Sequence, residues 1–509
     1  MLSKIYSSGV LGIDGFLVTV ECSAWERVPR FELVGLPDAA VKEAKNRVQS
    51  ACENSGYVFP SLDIMINLAP ADVKKEGTVF DLAILCAILQ SDGIIPRSCD
   101  FSDKCIIGEL SLSGDVRPIN GVLSMTVSAR DNGIKEIFVP LENADEAAVV
   151  SGITVYGVQN IRQMVSHLKG EEPMHPHPST SIDLDLSAER DIPDFSDVCG
   201  QLRAKRALEV AAAGGHNILM IGPPGTGKSM LAKRLASILP DMDFEESLET
   251  TKIHSVSGKL GTGLVTQRPF RSPHHTVSMP GLVGGGVYPR PGEISLAHNG
   301  LLFLDELAEF SRQTLEILRQ PLEDQKVTIS RVSGSITYPC SIMLIAAMNP
   351  CPCGYYGHPT KKCICSQKQV SNYLSKISGP VLDRFDIHLE VAPVEYDSLS
   401  STVKEESSAQ IRERVQRARE IQNERYKGTA VTCNARITSD IIHEVCVMTD
   451  AANDMLRGVF DRLGLSARAY DRILKVARTI ADMDNSPVID KKHIAQAVQY
   501  RSLDRKYWN

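Results

Sequence analysis

The sequence predicts a multidomain α/β protein: an α+β domain over residues 1–168, a linker over 169–195, a central α/β core on a parallel sheet over 196–395, and a helical domain over 396–509. Three observations predict it. At 509 residues the chain is too long for one hydrophobic core and corresponds to roughly three domains. After the polar stretch GEEPMHPHPSTSIDLDLSAERDIPDF, the short apolar runs NILMIG, GLLFLDE and SIMLIAAMN alternate with helical patterns, as buried parallel strands do. Beyond Tyr396 the pattern turns to a 3.6-residue period in SAQIRERVQRAREIQNERY and AYDRILKVARTIADMD.

In chain order, the first domain mixes the strand-like runs FLVTVEC, IIGELSLSG and EIFVPL with the helical patterns VKEAKNRVQSACENSG and FDLAILCAILQSDG. No internal repeat is present. The start MLSKIYSSGVLGIDGF is broken by glycines and an aspartate and reads as no signal peptide. No stretch approaches the ~18 apolar residues of a membrane helix. Thirteen cysteines without a secretory signal point to a reducing cytoplasm rather than a disulfide framework. The expectation is a cytoplasmic protein with no membrane contact.

The core opens with strand NILMIG running into Gly222-Pro223-Pro224-Gly225-Thr226-Gly227-Lys228-Ser229 and then helix MLAKRLASIL. This is a phosphate-binding loop in its required strand–loop–helix setting. Its glycines let successive N–H groups face phosphate oxygens, and the helix N-terminus adds a favourable field. Lys228 would bridge the β- and γ-phosphates of ATP, and the Ser229 hydroxyl would ligate Mg²⁺. The strand LLFLDE ends in Asp305, the Mg²⁺ partner, and Glu306, placed to polarise the attacking water. A third strand places Asn349 where it could orient water near the γ-phosphate. VLDRFDIHLE presents Arg384, readable as a surface ion pair or as a finger reaching a neighbouring subunit. LGLSARAYDRIL opens a helix with Arg468, readable as an exposed helix arginine or as a nucleotide sensor.

Charge is unevenly spread. The net charge is -7, yet 251–292 and 325–382 hold eleven Lys/Arg and no carboxylate. Acid-free basic segments in an acidic chain suit a channel that holds a polyanion. Arg268, Arg271, Lys326 and Arg331 are the candidate phosphate contacts.

Phosphate loop, DE pair, strand-end Asn349, Arg384 and a helical lid with Arg468 together resemble the AAA+ ATPases. RPFRSPHHTVSMPGLVGGGVYPRPGEISLAHNGLLFLDELAEF and LRQPLEDQKVTISR are similar to the magnesium-chelatase-type branch, and more closely to the bacterial ComM/YifB family, over essentially the whole chain. The resemblance implies a hexameric ring with two pore-facing features, a helix insert and a hairpin before the Asn349 strand. GELSLSGDVRPINGVL and APADVKKEGTVFDLAILCAIL resemble the stretches that carry the lysine and serine of Lon-type peptidases. Here Leu123 and Val79 stand in those places, which implies a peptidase fold without the Ser-Lys dyad. A shifted dyad using Ser113 or Lys75 is the alternative.

The leading expectation is an ATP-driven hexameric motor on DNA, single-stranded or branched. The resemblance points to helicase or branch-migration work in recombination or natural transformation, with recombination proteins as partners. The alternatives are a chelatase-type remodeller of a protein partner and an ATP-dependent protease. The latter is disfavoured by Val79 and Leu123.

Cys351, Cys353, Cys363 and Cys365 form two Cys-x-Cys pairs in CPCGYYGHPTKKCIC. Four thiolates can hold one structural Zn²⁺, with His358 as a spare ligand; reduced free thiols are the alternative.

Overall fold

The computed structural model describes all residues except 1, 180–192, 262, 287–288, 332–333, 359, 394–404, 502, 504–506 and 509. Residues 180–192 of the expected linker and the expected 395/396 boundary therefore lie outside the described residues. The chain forms two compact units, Met1–Asp185 with Ser247–Val265, and Leu186–Glu246 with Thr266–Asn509.

The first unit is built on a seven-stranded mixed sheet in the order Arg30–Val34, Asp63–Ala69, Asp14–Trp25, Leu2–Leu11, Lys104–Ile106, Glu136–Pro140, Thr154–Val158. The hairpin Leu2–Leu11/Asp14–Trp25 pairs Leu11 with Asp14, and Gly12 takes the left-handed conformation that so short a turn requires. Along Asp14–Trp25, Val18, Val20, Cys22 and Ala24 alternate inward, as a strand with one buried face must. Helix Asp81–Asp92 is apolar nearly all round and is accordingly buried almost along its whole length.

The segment Ser247–Val265 falls within the expected central core, yet it packs as part of the first unit. The reason is apolar: Leu248 and Leu264 lie against Leu123, Val149 and Val150. A polar tie reinforces it, because Ser255 Oγ donates to Glu146.

The second unit holds a five-stranded, all-parallel sheet ordered Phe270–Arg271, Leu301–Leu304, Met343–Met348, Ile218–Ile221, Ile387–Glu390. Four of these strands bury nearly every residue, which is why they read as unbroken apolar runs rather than as alternation. The C-terminal helices Ser408–Arg425, Ala467–Met483 and Lys491–Gln499 share one hydrophobic core with this sheet and with helices Leu202–Gly214 and Lys228–Ile238. The helical segment expected as a separate domain thus belongs to the same compact unit as the sheet. Its apolar stripe, with Val415, Ile473 and Ala477, has nowhere else to be buried.

Candidate nucleotide site and cysteine cluster

Strand Ile218–Ile221 lies between two strands that run parallel to it, Met343–Met348 and Ile387–Glu390. The chain order reverses across it, and the crevice beyond such strand ends is where open α/β sheets bind ligands. Gly222 has no room for a side chain, since a Cβ there would lie 2.3 Å from the Val391 carbonyl. Gly225 and Gly227 have φ of 80° and 82°, closed to most side chains. Gly227 caps helix Lys228–Ile238 without any side-chain cap, so the first N–H groups of that helix are left for a ligand.

Lys228 Nζ donates to the carbonyls of Gly222 (2.7 Å) and Pro223 (2.9 Å) and to Oδ1 of Asn349 (3.2 Å). Burial pulls its pKa below the ordinary lysine value, and the nearby Asp305 charge opposes that fall. Ser229 Oγ donates to Asp305 Oδ2 at 2.6 Å. The four residues expected to handle phosphate and metal are therefore brought together from three neighbouring strand ends. This donor set fits both groups: an ammonium parked on carbonyls that phosphate oxygens could replace, and a hydroxyl paired with a carboxylate, the oxygen ligands Mg²⁺ prefers.

Glu306 follows in the left-handed conformation, φ 52°, with its N–H donated to Asp305 Oδ1 (2.9 Å). Its carboxylate is largely exposed and has one loose neighbour, Nδ1 of His275 at 3.6 Å. The two arginines are not at this site. Arg384 pairs with Glu323, and Arg468 approaches Asp383 at 3.9 Å. No hydrogen bond or ion pair joins either to Lys228, Ser229 or Asp305 among the described residues.

Two of the four candidate phosphate-binding cations have partners within the second unit. All five N–H donors of Arg268 are used within the second unit, by the carbonyls of Pro240, Asp241 and Asn299 and both carboxylate oxygens of Glu246. Arg271 forks onto Glu293 at 2.6 and 2.8 Å. Their partners sit just outside the acid-free window, so the window hid them. Lys326 and Arg331 are exposed on the antiparallel hairpin Lys326–Arg331/Gly334–Pro339 and make no ion pair among the described residues. This hairpin precedes strand Met343–Met348, where the family resemblance implies one.

The sequence reading missed two residues at the site. Gln201 donates Nε2 to the Thr226 carbonyl (2.9 Å), while its buried Oε1 has no hydrogen-bond partner among the described residues. His275 places Nδ1 3.6 Å from the Glu306 carboxylate. Neither belongs to a recognisable motif; the only signal was the proximity of HH to a strand end.

In the first unit Val79 and Leu123 are buried and apolar. Lys75 Nζ donates to the Val73 carbonyl (2.8 Å), whereas Ser113 Oγ donates to Asp115 (2.6 Å). The residues of the shifted dyad are not joined.

The four cysteines of CPCGYYGHPTKKCIC converge, with all Sγ atoms within 4.8 Å of one another. The closest pairs are Cys351–Cys353 at 3.4 Å, Cys353–Cys363 at 3.5 Å and Cys351–Cys363 at 3.7 Å. His358 is outside the group; its Nδ1 accepts from the N–H of Thr360 (3.1 Å) and Lys361 (3.0 Å) and so serves the turn.

Comparison with known proteins gives three family matches in succession: subunit ChlI of Mg-chelatase over residues 20–143, magnesium chelatase subunit ChlI over 194–399, and the ChlI C-terminal part over 405–501. The uncharacterized protein YifB of Escherichia coli K12 is 43% identical over 99% of this chain and 98% of its own length. The competence protein ComM of Haemophilus influenzae is likewise 43% identical over 99% of this chain and 98% of its own. Likeness to a Lon protease of Rhizobium meliloti is partial, at 26% identity over 33% of this chain and 22% of that protein.

Proposed function

This chain belongs to the magnesium-chelatase-like family that includes YifB and ComM, and on that premise we propose that it is a cytoplasmic ATPase acting as a homo-hexameric motor on DNA. The joining of Lys228, Asn349, Ser229 and Asp305 supports the ATPase reading most directly. The loop from Gly222 to Ser229 binds the ATP phosphates, and Lys228 exchanges its carbonyl partners for phosphate oxygens. Ser229 and Asp305 would hold Mg²⁺, which neutralises developing charge on the phosphates. Glu306, exposed and loosely held, orients the attacking water and takes up its proton; Asn349 keeps Lys228 aligned. Arg384 is the candidate finger acting on a neighbouring subunit, and Arg468 the candidate sensor from the helical region.

For the DNA step, the exposed Lys326 and Arg331 support sequence-independent phosphate contacts. The competence name of a 43%-identical relative supports a role in natural transformation; helicase or branch-migration work is the finer part of the proposal. One observation favours the second reading, a protein remodeller: Arg268 and Arg271 are consumed internally, which halves the candidate DNA contacts. ATP turnover with and without single-stranded, forked and four-way-junction DNA separates the two. Stimulation that falls steeply with salt, and strand displacement lost in Lys228→Ala and Glu306→Gln, is expected for the motor. Indifference to every DNA structure overturns it.

A further inference from the structure

We infer that Cys351, Cys353, Cys363 and Cys365 form a tetrathiolate Zn²⁺ site that braces the phosphate loop, so that zinc occupancy sets nucleotide affinity. The bracing half rests on the proposed reading of Gly222–Ser229 as the ATP site; the metal half does not.

The metal follows from geometry. Zn–S bonds of about 2.3 Å at tetrahedral angles place sulfurs about 3.8 Å apart. The three closest pairs lie at 3.4 to 3.7 Å, and the fourth sulfur is within 4.8 Å of the rest. That spacing suits one ion rather than a multi-iron cluster, whose ligand pairs sit on separate irons. Four cysteine sulfurs gathered this closely are the ligand set that a single tetrahedral Zn²⁺ takes.

The brace follows from where the cluster sits. Cys351 comes two residues after Asn349, whose side chain accepts from Lys228. The turn closing the first Cys pair donates the Gly354 N–H to the Cys351 carbonyl (3.0 Å) and places Gly354 at φ 85°. At that position a Cβ would lie 2.5 Å from Cδ of Pro224, inside the phosphate loop. The first knuckle is thus packed directly on the loop. The second Cys pair leads straight into helix Gln367–Leu374, whose start is fixed by the Ser366/Gln369 capping box. Tyr373 of that helix is bonded to the backbone of Asn349. Metal, loop, Asn349 and helix therefore form one closed circuit. Without the metal, the knuckle against Pro224 would be held only by its own turn.

The test uses the full chain purified without chelator. Elemental analysis is expected to find about one zinc per chain; less than half an equivalent, or iron in its place, overturns the site. The double variant Cys353→Ser/Cys365→Ser is expected to lose zinc and to bind a non-hydrolysable ATP analogue about tenfold more weakly. Because that variant could misfold, two further measurements stand beside it. Releasing zinc from the wild type with a mercurial reagent, then restoring thiols and Zn²⁺, should lower and then recover affinity. Gly354→Ala should keep its zinc and still lose affinity. Loss of zinc with unchanged nucleotide affinity overturns the brace. Lys228→Ala should keep zinc while losing nucleotide, and a wild type that holds zinc but binds no nucleotide defeats the ATPase reading and leaves the metal site standing.

Discussion

Glu146 in the first unit and Glu306 in the second are both carboxylates at the edge of a would-be active site, and they end in opposite conditions. Glu146 is buried and accepts from the Leu123 N–H (2.8 Å), from Asn143 Nδ2 (3.2 Å) and from Ser255 Oγ. Burial pushes its pKa up, against these three donors. Glu306 is 60% exposed, with His275 as its ion-pair neighbour among the described residues. The first carboxylate is used up in holding Ser247–Val265 and helix Val122–Asp131 together; the second is left open. The lesson is that satisfied valence marks a structural polar group, whereas an open one beside a saturated scaffold marks a group that can meet substrate. The same contrast separates Arg268, all of whose donors are used, from Lys326 and Arg331.

The comparison can be broken most sharply at the open group. Glu306→Gln and Lys228→Ala should each lower ATP turnover about 1,000-fold, or ~4 kcal/mol of barrier, with the melting temperature little changed. Turnover close to wild type in Glu306→Gln would mean that the open carboxylate is idle. The used-up group should behave in reverse. Glu146→Ala strands a buried N–H and two side-chain donors and should cost about 3 kcal/mol in urea unfolding. A cost within about 0.5 kcal/mol, as for an ordinary surface change, would show the network to be dispensable.

A smaller effect separates the arginines. Lys326→Ala/Arg331→Ala should leave stability unchanged and reduce the salt-dependence slope of DNA binding by about 2. Arg268→Gln should act the other way, with a lowered melting temperature and no change in slope. An equal slope change in both would restore Arg268 as a DNA contact.

The smallest expected effect is on pH. Asp81 in the first unit is forked by Arg47 at 2.8 and 3.0 Å, yet burial pushes its pKa up to about 6. Asp386 in the second unit is also buried, but His216, Arg472 and Lys475 together hold it below the ordinary range. One cation does not offset the burial; three groups do. A raised acid costs stability above its folded pKa, and that cost is relieved as pH falls through about 6. A depressed acid contributes stability above its unfolded pKa, and that contribution is lost only as pH falls below about 4. Acidifying from pH 7 to 5 should therefore stabilise the first unit by about 1 kcal/mol through Asp81 and leave the Asp386 contribution intact. The gain should vanish in Asp81→Asn, as followed by hydrogen exchange of helix Asp81–Asp92.

Much of the candidate nucleotide site was legible because its residues are ordered locally. Gly222 to Ser229 is one contiguous loop, and Asp305 and Asn349 each end an apolar strand, so order along the chain stands in for position in space. The cysteine cluster was legible for the same reason, since both pairs lie within fifteen residues. Which basic side chains are left without ion-pair partners was less legible. A charge window counts along the chain, while Arg268 and Arg271 find Glu246 and Glu293 twenty-two residues away, beyond the window's edges. His275 and Gln201 carry no motif, and only the folded sheet brings them to Glu306 and Thr226.

By itself, then, the sequence determined the phosphate loop, the strands that carry Asp305 and Asn349, the apolar replacements Val79 and Leu123, and the four thiols. Each of these depends on residue type and short-range spacing. Tertiary structure alone decided which charges are free, that Ser247–Val265 packs with the first unit, and that the Cys351 knuckle rests on Pro224. Those outcomes depend on which distant side chains meet, and burial strengthens or cancels a charge only once its neighbours are in place.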